Sequence, residues 1–212
     1  MNKFESRSYT FEIRAEQNEE NVGVITGRPI VYDSRTDLGY FDEIIERGAL
    51  DKTDLKDVRF LVNHDTSKIP LARSRNNNAN STMQLSVDEQ GLAIRVNLDI
   101  ENNSEARNLY SAIKRGDITG MSFMFGVNGE EWENLDSDHP TRHIKSISTV
   151  VEVSAVTFPA YESTSISARD KTKEALDNAR STLDSVKDNA LDSAKQLELE
   201  KLKLINRMKG VF

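Results

Sequence analysis

Cysteine is absent from all 212 residues. That excludes disulfides, cysteine nucleophiles and thiolate metal sites, and it fits a reducing compartment. No apolar run approaches the ~20 residues needed to span a bilayer. No apolar stretch follows the opening Met-Asn-Lys-Phe-Glu-Ser-Arg either, so neither a membrane span nor a signal peptide is expected. Basic charge is also short: the net charge is −7. From Asp170 onward nine Lys/Arg face eight Asp/Glu, which leaves −8 on residues 1–169. So acidic a body lacks the basic footprint that neutralises phosphates, and nucleic acid is not expected as a partner. The three histidines, His64, His139 and His143, are the whole supply of side chains that ordinarily titrate near neutrality.

What is present alternates. Residues 8–14 read as a strand with Tyr9, Phe11 and Ile13 on one face. Residues 22–32 read as a second strand, with Gly23 and Gly27 as bulge candidates and Pro29 as an edge or break. Residues 33–39 are a polar connection, and 41–50 have roughly helical spacing, giving a short helical or irregular segment. Residues 57–62 form a compact strand that delivers Asn63 and His64 at its end. Residues 65–80 are turn-rich, and 82–87 with 92–100 form a hairpin around Asp88-Glu89-Gln90-Gly91. A helix follows, capped by Asn103 or Ser104, striped by Ala106, Leu109, Tyr110 and Ile113, and closed by Gly116. Next comes Gly116-Asp-Ile-Thr-Gly-Met-Ser-Phe-Met-Phe, in which Met121, Phe123 and Phe125 share one strand face, and Ser122 and Met124 the other. Residues 126–140 read as an acidic loop around Trp132, and 144–158 as the last strand.

Six or seven strands with one or two helices predict an α+β, mainly β fold. The expected form is a small closed or curled antiparallel β-barrel with helices packed outside. Beyond about Thr172, Gly and Pro vanish until Gly210. Leu176, Ala179, Leu183, Val186 and Ala190 recur at coiled-coil spacing for about two heptads, and the end is basic. The expected division is a body over 1–168 and an amphipathic helical tail over 169–212.

Three groups on separate strands have complementary chemistry. Ser122 is either a packing residue or a nucleophile held on a rigid element. His64, where strand gives way to loop, can take and return a proton. Glu152 interrupts Val150-Val151-Glu152-Val153-Ser154-Ala155-Val156, and a carboxylate in so apolar a strand needs a donor such as a histidine N–H. The alternatives are a surface histidine, a packing serine, and a Glu152 paired with Arg73, Arg142 or Lys145. A metal site at His139 and His143, with Asp136 and Asp138, is disfavoured because Pro140 breaks any helical pairing and no further soft ligand completes a set. No cofactor is expected.

Several segments, taken in order, resemble the prohead (procapsid) maturation proteases of tailed bacteriophages, serine peptidases related in fold to the herpesvirus assemblins. They are Val62-Asn63-His64-Asp65 with Leu71-Ala72-Arg73, Gly120-Met121-Ser122-Phe123, and Glu152-Val153-Ser154 running to Pro159-Ala160-Tyr161. The resemblance covers about residues 8–169 and implies His64 as general base and Ser122 as nucleophile. Glu152 falls in the family's acidic position, while the second histidine of the assemblins makes His143 the rival. Ala72 stands where the family usually has glycine before Arg73. The resemblance further implies a serine endopeptidase that cleaves the major capsid protein with its scaffolding segment, and itself, inside the immature procapsid in the host cytoplasm. The alternative of another class is a catalytically inactive assembly module that binds capsid protein through its tail helix.

Overall fold

The computed structural model describes residues 4–9, 13–17, 23–158 and 166–209. In chain order the elements are β1 (Phe4–Tyr9), β2 (Ile13–Gln17), β3 (Gly23–Val31), β4 (Arg35–Asp37), β5 (Asp42–Ile45) and β6 (Asp57–Val62). They continue with β7 (Ala72–Arg75), β8 (Met83–Asp88), β9 (Gly91–Leu98), α1 (Ser104–Arg115), β10 (Gly120–Glu133), β11 (Thr141–Val156) and α2 (Ile166–Lys209). By contacts the chain divides into Met1–Thr172 and Lys173–Phe212.

The larger unit is α+β and mainly strand. A seven-stranded sheet runs β1-β10-β11-β5-β4, with β6 on β11 and β7 on β6, and a four-stranded sheet runs β2-β3-β9-β8. The expected antiparallel barrel does not form. Among the described residues the two sheets stay open and separate, and β11 pairs in parallel with both β5 and β6. The cause is the length of β11. Its 16 residues let β5 pair at Thr141–Ile144 and β6 at Glu152–Ala155, so one edge carries two strands end to end and the sheet branches.

The core draws on both sheets and on one face of α1. Phe60, Phe123, Phe125, Ile25, Leu92 and Val153 are all fully enclosed. Burying each large side chain contributes roughly 2 kcal/mol, and the Phe123 and Phe125 rings lie 4.9 Å apart. Helix α1 has the expected form: Asn103 Oδ1 accepts from the N–H groups of Glu105 and Ala106, and Gly116 ends it at φ 79°.

Three local expectations change, and the break expected at Pro29 is found. Residues 8–14 are not one strand, because β1 and β2 lie in different sheets; residues 10–12 lie outside the described set, as do Val22 and Pro159-Ala160-Tyr161. Pro29 falls in the register shift between Gly27 and Ile30, where no ladder N–H is required. Residues 41–50 hold β5 rather than a helix: Phe41, Glu43 and Ile45 alternate inward, and the charge on Glu43 hid the period. The acidic "loop" after Gly126 is the distal half of β10, polar because it is largely exposed and stepped by register shifts as far as Glu130.

The smaller unit consists of the greater part of α2, itself 44 residues or ~66 Å long. Val186, Leu191, Leu197, Leu199 and Leu202 are each more than half exposed. None of the described helices is long and apolar enough to cross a membrane.

Candidate active site

Strand pairing brings the three candidate groups to one face. Ser122 lies opposite Ser154 in the β10–β11 register, and Met124 lies opposite Glu152, so Ser122, Glu152 and Ser154 project together. Strand β6 joins the other edge of β11, with Leu61 beside Ser154 and Val62 beside Ala155, and the chain then turns over that face. The turn is made by Asn63 at φ 50° and His64 at φ 58°. Left-handed residues are tolerated best as Asn or His, yet each costs roughly 1 kcal/mol or more unless its surroundings fix it. Here they are fixed. Asn63 Oδ1 accepts from Thr157 N–H at 2.9 Å, Asn63 N–H donates to Ala155 O at 3.0 Å, and His64 N–H donates to Ser154 Oγ at 3.1 Å.

The imidazole therefore bridges the other two groups. His64 Nδ1 lies 2.5 Å from Glu152 Oε1, and Nε2 lies 2.5 Å from Ser122 Oγ. Ser154 Oγ donates to the second carboxylate oxygen, Glu152 Oε2, at 2.6 Å. Glu152 is 1% exposed and Ser122 is 0% exposed. A carboxylate so placed keeps the Nδ1 proton on the imidazole and leaves Nε2 as acceptor, the tautomer a serine needs from a base. Ser154 shares a face with Glu152 in the period-two pattern, but its double role, on the backbone of His64 and on Glu152, has no sequence signature.

A second contact competes for the serine. Ser122 Oγ also donates to the carbonyl oxygen of Arg7 on β1, at 2.7 Å. One hydroxyl proton thus faces two acceptors.

The remaining candidates lie elsewhere. His143 Nδ1 meets Glu46 Oε1 at 2.8 Å and its Nε2 meets Glu133 Oε2 at 3.4 Å. The hydrogen bond from Lys145, then that from His143, hold Glu46 below the ordinary carboxylate range despite partial burial. His139 Nε2 sits between Asp42 Oδ1 at 3.1 Å and Asp37 Oδ1 at 3.7 Å, with Arg35 also on Asp42. Two histidines on different carboxylates do not share a metal-ligand set. The cations considered as partners of Glu152 have carboxylates of their own: Arg73 forks onto Asp57, Lys145 meets Glu46, and Arg142 reaches Glu5, Glu43 and Glu130.

This last cluster flanks β1. Glu43 is buried between Arg7, which forks onto it at 2.5 and 2.7 Å, and Arg142 at 3.1 Å. Burial alone would lower the pKa of Arg142, but hydrogen bonding to Glu5 and the charges of Glu43 and Glu5 raise it. Burial likewise pushes Glu5 upward, and Arg142 with Arg7 overcome this and hold it at about 2. Next to the His64 turn a cavity of about 450 Å³ opens, lined in part by Asn63, Asp65, Leu71, Leu109 and Ile118.

Comparison with known proteins gives the following matches. The sequence profile of the caudovirus prohead serine protease family matches residues 9–179. The prohead protease of Enterobacteria phage HK97 is 29% identical over 150 residues, which is 69% of this chain and 60% of that protein. The structure of the bacteriophage T4 capsid assembly protease aligns at a TM-score of 0.38 with 11% identity, covering 73% of this chain and 99% of that one.

Proposed function

This chain belongs to the caudovirus prohead serine protease family, and from that premise we propose that it is a serine endopeptidase of phage head maturation with Ser122, His64 and Glu152 as its catalytic groups. The observation that carries the reading is the single imidazole lying 2.5 Å from both Ser122 Oγ and Glu152 Oε1. In the reaction, Ser122 Oγ attacks the scissile carbonyl carbon while His64 Nε2 takes its proton. Glu152 stabilises the resulting imidazolium and holds the ring, and His64 then protonates the leaving amine. Water repeats the sequence on the acyl-enzyme and returns Ser122. Ser154 positions both Glu152 and the backbone of His64. The cavity beside the His64 turn has room for a peptide side chain flanking the cleaved bond.

Its substrates are the major capsid protein with its scaffolding segment, and the chain itself, within the immature procapsid in the host cytoplasm. Residues 1–168 form the protease domain, and the tail from 169 onward docks the enzyme in the procapsid and is removed on self-processing. The exposed leucines and basic end of α2 support the docking role. A tail-deleted chain that enters procapsids as well as the intact one ends that part of the proposal.

A second reading has an observation in its favour: Ser122 is fully buried with its hydroxyl on Arg7 O, as in an inactive assembly module that binds capsid protein by its tail. Co-expression with the phage's capsid protein decides between them, with Ser122→Ala alongside and intact masses of all products. Trimming by wild type and none by Ser122→Ala supports the peptidase. Identical, uncut products from both favour the module.

A further inference from the structure

Strand β1 has an unusual position for a sheet edge. It pairs antiparallel with β10 in a register that sets Ser8 opposite Ser122 and Arg7 opposite Phe123. Among the described residues it is the terminal strand of its sheet, next to β10 alone. Take β1 away and β10 becomes the edge, with unpaired main-chain groups running past Ser122. That is the geometry of a surface for an added peptide strand.

The contacts β1 makes there are those of a bound peptide. The Arg7 carbonyl points its oxygen at the Ser122 hydroxyl and accepts its hydrogen bond. That carbonyl is an acceptor in this pose, and a serine donating to it is not donating to His64. The Arg7 side chain goes to the opposite face, forks onto buried Glu43, and lies 5.7 Å from the centre of the Phe125 ring. A buried carboxylate above an aromatic face is a selective seat for a guanidinium or ammonium group. The Ser8 hydroxyl, on the Ser122 face, is buried with no hydrogen-bond partner among the described residues.

We propose that the β10 edge beside Ser122 is the substrate-binding surface, and that β1 is its internal occupant and keeps the nucleophile silent. The peptide that displaces β1 is extended, pairs antiparallel with β10, and carries arginine or lysine over Glu43. This rests on the peptidase reading above and adds to it a substrate class and a mode of restraint. Strand exchange is the activating step. It frees the Ser122 proton for His64 and brings in a carbonyl whose carbon, rather than its oxygen, faces Oγ.

The absence of cysteine makes a direct test possible. Ser6 and Met124 are cross-strand partners, within the span a disulfide bridges, so the full-length Ser6→Cys/Met124→Cys chain can be locked and unlocked by oxidant and reductant. The readout is the rate at which a fluorophosphonate labels Ser122. The oxidised form is expected to label at least about tenfold more slowly than the same protein reduced. The free hexapeptide Phe-Glu-Ser-Arg-Ser-Tyr should slow labelling of the reduced form, and the same peptide with glutamate in place of arginine should not. Equal, measurable rates in both redox forms overturn the proposal and leave the peptidase reading standing. Equal effects of the two peptides overturn the basic preference. Failure of the thiols to crosslink contradicts the strand register. No labelling in either form removes the peptidase reading and this inference with it.

Discussion

Glu152 Oε1 lies 2.5 Å from His64 Nδ1, while the rival histidine, His143, lies against Glu46 and Glu133. The two therefore predict opposite outcomes. Glu152→Gln presents an amide that no longer stabilises the imidazolium and can stabilise the wrong tautomer. It should lower kcat/KM for capsid-protein cleavage by roughly a thousandfold to ten-thousandfold. His143→Ala removes partly exposed contacts to Glu46 and Glu133 and should stay within about twofold. Equal losses in the two variants would defeat the assignment of Glu152.

Ser154 acts on two groups through one hydroxyl, accepting from His64 N–H and donating to Glu152 Oε2. Ser154→Ala leaves both without that partner in a buried setting. It should cost about 1 to 3 kcal/mol in transition-state stabilisation, which is roughly a 5- to 150-fold loss. The loss should fall on kcat with KM little changed, and Ser154→Thr should restore part of it. A change in KM alone would mean that Ser154 serves the peptide surface instead.

The face that brings Ser122, His64 and Glu152 together is largely legible from residues. Ser122 stood out by its place in an alternating apolar strand, and Glu152 by being a carboxylate where a valine was due. His64 was marked by ending a strand. Each is a local signal. The parts that escaped are of two kinds. Glu43 disguised β5 because a buried, paired carboxylate sits where the period calls for an apolar residue. The separation of β1 from β2, the branching of the sheet along β11 and the Arg7 carbonyl on Ser122 are main-chain relationships. The last joins groups 115 residues apart, and a carbonyl looks the same on every residue. No side-chain pattern announces such contacts, and for that reason the occlusion of Ser122 is visible only in three dimensions.

Gly91 closes the β8–β9 hairpin at φ 135°, and a Cβ there would stand 2.1 Å from the Ile30 carbonyl oxygen. Both the dihedral and the backbone contact oppose any side chain. Gly91→Ala should destabilise the protein by more than about 1 kcal/mol, seen as a lower denaturation midpoint at an unchanged m-value. A midpoint equal to wild type would contradict the close approach of β3 to the hairpin.

Glu5 ties β1 to Arg142 and Arg7 with a carboxyl held at about 2, against an ordinary value of 4.5. A folded-state pKa below the unfolded one means that the ionised carboxylate favours the fold. Its contribution is fully present above about pH 4.5 and fades as pH falls toward 2. The shift corresponds to at most about 3 kcal/mol. Glu5→Gln should therefore be less stable than wild type at pH 7, by denaturant unfolding, and the gap should narrow steadily between pH 4.5 and 2. If the gap stays constant over that window, Glu5 contributes through packing or neutral hydrogen bonding, and its charge is not what holds β1 to the sheet.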